Sequence, residues 1–179
     1  MKLTKNIKTN AIQVLQKEAN AIQNLINYVD DDFVACVEAI LESSGRVVIT
    51  GIGKSAIVAN KIVATLNSTG TPALFMHAAD AIHGDLGMIQ RDDIVMLISK
   101  SGESPEIKVL VPLIKNFGNT LIGMVGNTQS FLAQSADIIL NTTVSQEACP
   151  NNLAPTSSTT AQLVMGDALA ISLMELKGF

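Results

Sequence analysis

Ile94-Val95-Met96-Leu97-Ile98-Ser99-Lys100-Ser101-Gly102-Glu103-Ser104-Pro105-Glu106 runs from an apolar strand, through a loop of hydroxyls and one glycine, into a helix start. Ser99, Ser101 and Ser104 offer hydroxyl donors, and Gly102 lets backbone approach a ligand closely. A helix opening at Pro105 turns its free N–H groups and positive dipole end toward an anion. The loop therefore reads as a phosphate cradle with a carboxylate, Glu106, beside it. The same order recurs upstream, where Arg46-Val47-Val48-Ile49-Thr50 leads into Gly51-Ile52-Gly53-Lys54-Ser55.

Outward from these two units, short continuous apolar runs at 47–50, 73–76, 94–99, 121–125 and 138–140 alternate with helix-length segments at 55–68, 105–117, 130–135 and 156–177. Continuous runs describe strands covered on both faces, and the alternation describes a parallel sheet between helices. The expectation is a single α/β domain over 1–179, a doubly wound three-layer sandwich with a five-stranded parallel sheet. Upstream, Ile7, Ala11, Ile12, Leu15, Ala19, Ile22, Leu25 and Ile26 recur at helical spacing and predict an amphipathic helix ending near Asp30. A second helix is expected over 31–42, closed by Ser43-Ser44-Gly45. These N-terminal helices, 7–42, are expected to pack on the α/β core, 46–179. Ligands belong at the carboxyl ends of the strands, where both glycine and hydroxyl loops fall.

Composition narrows the function. The 179 residues are 47% hydrophobic, enough for one sizeable core. Net charge is −4, from 12 basic and 16 acidic residues, with 3% aromatics and no basic stripe, which argues against a nucleic-acid partner. Cys36 and Cys149 make neither a metal spacing nor a disulfide framework, so the reducing cytoplasm is the expected compartment. No apolar run reaches the roughly 18 residues of a membrane span, and the N-terminus lacks the apolar core of a signal peptide.

Several side chains carry candidate chemistry, each with a plainer reading beside it. Gly51-Ile52-Gly53-Lys54-Ser55 matches neither a Walker loop nor a full dinucleotide fingerprint, so Lys54 faces either an anion or solvent. Ser104, Pro105 and Glu106 make an ordinary helix start as well as a ligand site, and Glu106 is either a dipole partner or a partly desolvated base with a raised pKa. His77 and His83 follow a strand; their spacing does not place them on one helical face. His83, next to Gly84, is the stronger candidate. Glu147 lies in a long loop, 144–158, where a carboxylate is usually solvated. Cys149 reads as structural, because nothing basic adjoins it. Thr156 and Ser157 belong to a hydroxyl-dense cap of the last helix that could equally contact a ligand, and Asp167 reads as a packing residue.

Taken together, these pieces resemble the sugar isomerase (SIS) domain family, and within it the arabinose 5-phosphate isomerases of the Kdo pathway. The resemblance runs through Gly51-Ile52-Gly53-Lys54-Ser55, Ser68-Thr69-Gly70-Thr71-Pro72, His83-Gly84-Asp85-Leu86-Gly87-Met88, Ser99-Lys100-Ser101-Gly102, Glu147-Ala148-Cys149-Pro150, Leu153-Ala154-Pro155-Thr156-Ser157-Ser158-Thr159 and Gly166-Asp167-Ala168-Leu169-Ala170. It implies the SIS fold and interconversion of D-ribulose 5-phosphate and D-arabinose 5-phosphate through a cis-enediol, without a cofactor. It carries functional roles to Lys54, His83, Glu106 and Glu147, with Gly70 and Thr71 at the sugar and 99–104 at the phosphate. Glu147 or Glu106 would be the base, His83 would open the ring or polarise the carbonyl, and Lys54 would meet the developing oxyanion. It further implies a homotetramer with shared sites and an inhibitory zinc contact at His77. Most members carry a pair of CBS modules and a His-Pro-Gly or His-Pro-Ala run with an active-site histidine; this sequence ends at Phe179. The rival expectations are a non-catalytic sensor of sugar phosphates or nucleotide sugars and an isomerase of another phosphosugar.

Overall fold

The computed structural model describes residues 2–179, with side chains from Asn6 onward. Five strands, β1 (Val47–Gly51), β2 (Ala73–His77), β3 (Ile94–Ser99), β4 (Leu121–Val125) and β5 (Ile138–Asn141), form one sheet in the order β2-β1-β3-β4-β5. Every pairing is parallel. The helices are α1 (Lys2–Leu25), α2 (Asp31–Glu42), α3 (Lys54–Ser68), α4 (Ala78–Ile82), α5 (Pro105–Phe117), α6 (Phe131–Ser135) and α7 (Ser157–Lys177).

Alternate strand residues feed two cores. Val47, Ile49, Met96, Ile98, Ile122 and Met124 pack with α2, α3 and α7, while Val48, Val95, Leu97, Leu121 and Val125 pack with α4, α5 and α6. All residues of β1, β3 and β4 are buried, as strands covered on both faces must be. Helix α1 lies along α7, and α2 reaches both α7 and β5.

The chain departs from the sequence expectations at three places. Helix α1 stops at Leu25 and passes through a 3-10 turn, Ile26–Tyr28, instead of running to Asp30. Asp30 has extended backbone, and its carboxylate accepts the N–H groups of Asp32 and Phe33, so it caps α2 and cannot also belong to α1. The segment after β2 holds a short helix, α4, and a 3-10 turn, Asp85–Met88, both too short to declare a period. The apolar spacing of α1 also overstates its burial: Leu25 is covered, whereas Ile12 and Leu15 are 65% and 70% exposed.

Candidate active site

From β1 the chain first builds β2 on one side, then crosses to β3 on the other. The strand order therefore reverses between β1 and β3, and a crevice opens there beyond their carboxyl ends. The Gly51–Ser55 and Ser99–Ser104 loops flank it. A Cβ on Gly51 would press on the backbone of Ser55, Ala56 and Ile98 at 3.1–3.2 Å, so only glycine lets β1 turn into α3 this closely. Gly53 has φ +60, and Lys54 stands exposed in the first turn of α3. The Ser55 hydroxyl donates to Oε1 of buried Gln162 on α7 at 3.3 Å.

In the second loop, Ser99 Oγ accepts the Gly102 N–H at 3.0 Å and Ser101 Oγ accepts the Glu103 N–H at 3.3 Å. Gly102, at φ +65, lies against Ser130, where a Cβ would overlap the hydroxyl. Ser104 occupies the cap position of α5, but its side chain makes no cap bond. Among the described residues, the buried polar side-chain atoms without a partner are Thr50 Oγ1, Ser104 Oγ, Ser157 Oγ and Asn119 Oδ1. The three hydroxyls end β1, open α5 and open α7; the asparagine precedes β4 at the opposite edge. Buried hydroxyls without partners are costly, and two of these three, Ser104 and Ser157, lie at helix starts on the carboxyl side of the sheet.

Glu147 is buried, contrary to the usual state of a loop carboxylate. Its Oε1 accepts from Lys100 Nζ at 2.6 Å and Ser158 Oγ at 2.5 Å; its Oε2 accepts from the N–H groups of Thr156 and Ser158 at 2.8 and 3.2 Å and from the Thr156 hydroxyl at 3.2 Å. Thr156 itself makes no side-chain cap, so this carboxylate, from nine residues upstream, caps α7. Burial opposes its ionisation, yet Lys100, Ser158 and the two N–H groups outweigh burial and hold its pKa down to about 2. The Glu147 N–H donates to Asn152 Oδ1 at 2.7 Å, and Asn152 bends the loop with φ +53. The N–H groups of Ala154, Leu153 and Asn151 hold the Cys149 pKa below the ordinary thiol value.

Glu106 sits half-buried in the first turn of α5, with no hydrogen bond or ion pair among the described residues. His83 ends α4 and is exposed, followed by Gly84 at φ +139. His77 ends the edge strand β2 with Asp80 Oδ2 3.7 Å from its Nδ1. No group of three metal-ligating side chains occurs among the described residues.

Gly70 and Thr71 stand apart from the other candidates. Helix α3 runs antiparallel to the strands, so its end returns the chain to the amino edge before β2 begins. There the Phe179 ring covers Gly70, and Thr71 Oγ1 accepts from Lys177 Nζ at 3.0 Å. Within one copy of the chain they lie at the opposite edge of the sheet from the Ser99–Ser104 loop.

A model of the SIS domain matches residues 40–172. The chain belongs to the SIS domain family. The arabinose 5-phosphate isomerase KdsD of Pseudomonas aeruginosa is 56% identical over 162 residues, 90% of this chain and 50% of its own length. The arabinose 5-phosphate isomerase KpsF of Escherichia coli O6:H1 is 47% identical over 172 residues, 96% of this chain and 53% of its own. The chain thus spans about half the length of the curated relatives it matches. A protein of E. coli CFT073, solved in complex with arabinose 5-phosphate, is 40% identical with a TM-score of 0.94, over 98% of this chain and 93% of that one.

Four residues of this SIS domain escaped sequence reasoning: Thr50, Lys100, Ser158 and Gln162. Thr50 had a usable signal, a hydroxyl closing an apolar strand at the ligand edge. Lys100, between two cradle serines, had one as well. Ser158 and Gln162 had none, because their partners Glu147 and Ser55 lie on other elements.

Proposed function

We propose that this SIS domain interconverts D-arabinose 5-phosphate and D-ribulose 5-phosphate through a cis-enediol. The observation that carries the reading is the meeting of the Gly51–Ser55 and Ser99–Ser104 loops at the carboxyl ends of neighbouring β1 and β3, with Lys54 exposed in the first turn of α3 and Glu106 unpaired in the first turn of α5. The names of relatives at 47–56% identity support the substrate.

The phosphate binds the Ser99–Ser104 loop and the α5 N-terminus, whose N–H groups and dipole favour a dianion. Glu106, the carboxylate left without a partner, takes the proton from C2 of the open-chain aldose. The C2–H electrons form the C1=C2 bond, and O1 gains a proton to give the enediol. C1 then regains a proton and O2 loses one, leaving the ketone at C2. No electrons enter or leave, so the step requires no external oxidant. Lys54 offsets charge developing on the substrate oxygens, and His83 serves ring opening or carbonyl polarisation. Glu147, saturated by donors and strongly acidic, is a fixed anion and not the proton carrier. Glu106→Gln should lower kcat by about 10²–10⁴-fold while sugar-phosphate binding, read by calorimetry, stays within a few-fold. Undiminished turnover would remove Glu106 from the chemistry.

The reading extends to a homotetramer of the cytoplasm with sites shared between copies, supplying Kdo for lipopolysaccharide or capsule. Assembly is supported by the apolar side chains that α1 leaves uncovered, Ile12 and Leu15 foremost. A monomer in sedimentation equilibrium would remove this part.

A further inference from the structure

We infer that Lys100 is a positioning residue, whose ammonium clamps the Glu147 loop and the start of α7 onto the phosphate cradle. The inference rests on the isomerase reading for its kinetic consequence and on geometry for its existence. Lys100 lies inside the cradle, between Ser99 and Ser101, and its carbonyl accepts the Gly126 N–H at 3.1 Å. Its stem runs over Gly126 after β4, where a Cβ would come within 3.2 Å of Lys100 Cγ and 2.9 Å of its carbonyl oxygen. The missing side chain leaves the lysine its path, and that path ends on Glu147, 2.6 Å away. The carboxylate side chain is fully buried and the lysine 46% exposed, so the contact joins a solvent-facing cation to an interior anion.

What the clamp holds is specific. Glu147 binds the N–H groups of Thr156 and Ser158, the residues on either side of Ser157. Ser157 Oγ, at the start of α7, is a buried hydroxyl without a partner. Lys100 therefore reaches the site through Glu147 and α7, linking the cradle to a hydroxyl 57 positions away by two ionic and hydrogen-bonded steps. Other charged groups near this loop come from α1. Glu18 accepts from the Thr160 hydroxyl at 2.8 Å, and Lys17 borders a groove of about 300 Å³ with Ala148 and Pro150. Lys100 alone among them pairs with Glu147.

The test has two arms on the full 179-residue chain. Carbon-13 NMR of glutamate carboxyls follows the Glu147 titration without substrate. In Lys100→Met its midpoint should rise by at least about one pH unit, and Lys100→Arg should restore most of the difference. In the kinetic arm, with D-arabinose 5-phosphate as substrate, Lys100→Met should lower kcat/KM roughly 10-fold, and should add nothing when Glu147 is already Gln. An unchanged midpoint in Lys100→Met overturns the clamp. So do losses that multiply in the double variant, which would make Lys100 a direct phosphate ligand. Inactivity of the unaltered protein would instead strike the isomerase reading and leave the titration arm to decide the clamp.

Discussion

Five donors converge on the Glu147 carboxylate, and that convergence fixes its chemistry. Its pKa, about 2, lies below the ordinary 4.5, so the ionised form is the one the fold stabilises. The resulting contribution to stability is complete above the ordinary value and is lost as pH falls through the folded value. Glu147→Gln should therefore flatten the loss of stability between about pH 4.5 and pH 2, as urea unfolding at stepped pH would reveal. A curve as steep as the unaltered protein's would show that Glu147 is not held ionised. Asp93, buried but outweighed by Arg46 and by the Gln90 and Arg46 N–H groups, is also lowered and leaves part of the slope in place. The sequence offered Glu147 and Glu106 as alternative candidates for the base, and could not decide between them. The partners that distinguish Glu147 come from positions 100, 156 and 158, on a different loop and a later helix. Local spacing has no access to such pairs.

Elements were far more legible than residues. Strands β3 and β4 and helix α5 fall where continuous apolar runs and helix signals put them. The period and the Ser104-Pro105 start are local properties. Helix α4 escaped because its start carries no side-chain cap, whereas the equally short α6 is announced by Ser130, and α1 was overrun because the Asp30 cap competes with continued helix only once α2 is in place. At the amino edge, an ion pair joins elements that no motif announces. Arg46, leading into β1, grips Asp93 before β3 through Nε at 3.1 Å, Nη2 at 2.7 Å and its own N–H at 2.8 Å. Asn119, before β4, adds bonds to the carbonyls of Gln90 and Asp93 at 2.8 Å. Asp93→Asn would leave the Arg46 guanidinium without its counter-ion at the point where three strands enter the sheet. We expect a loss of about 3 kcal/mol in urea unfolding with the crevice residues unaffected. A loss under about 0.5 kcal/mol would rank the pair with surface salt bridges.

For the whole molecule, the strand order β2-β1-β3-β4-β5 connects sequence to the candidate site, because it brings the loops after β1 and β3 to one edge. The loop after β5 and the start of α7 reach the same edge through Glu147, while Gly70 and Thr71 are carried to the other edge by the direction of α3. The decisive measurement is incubation of the chain with D-arabinose 5-phosphate in deuterated water, followed by proton NMR. The account predicts that ribulose 5-phosphate forms and that solvent deuterium enters at the carbon receiving the returned proton. Binding of the sugar phosphate with neither ketose nor exchange would contradict it, and would make this SIS domain a receptor for sugar phosphates instead of a catalyst.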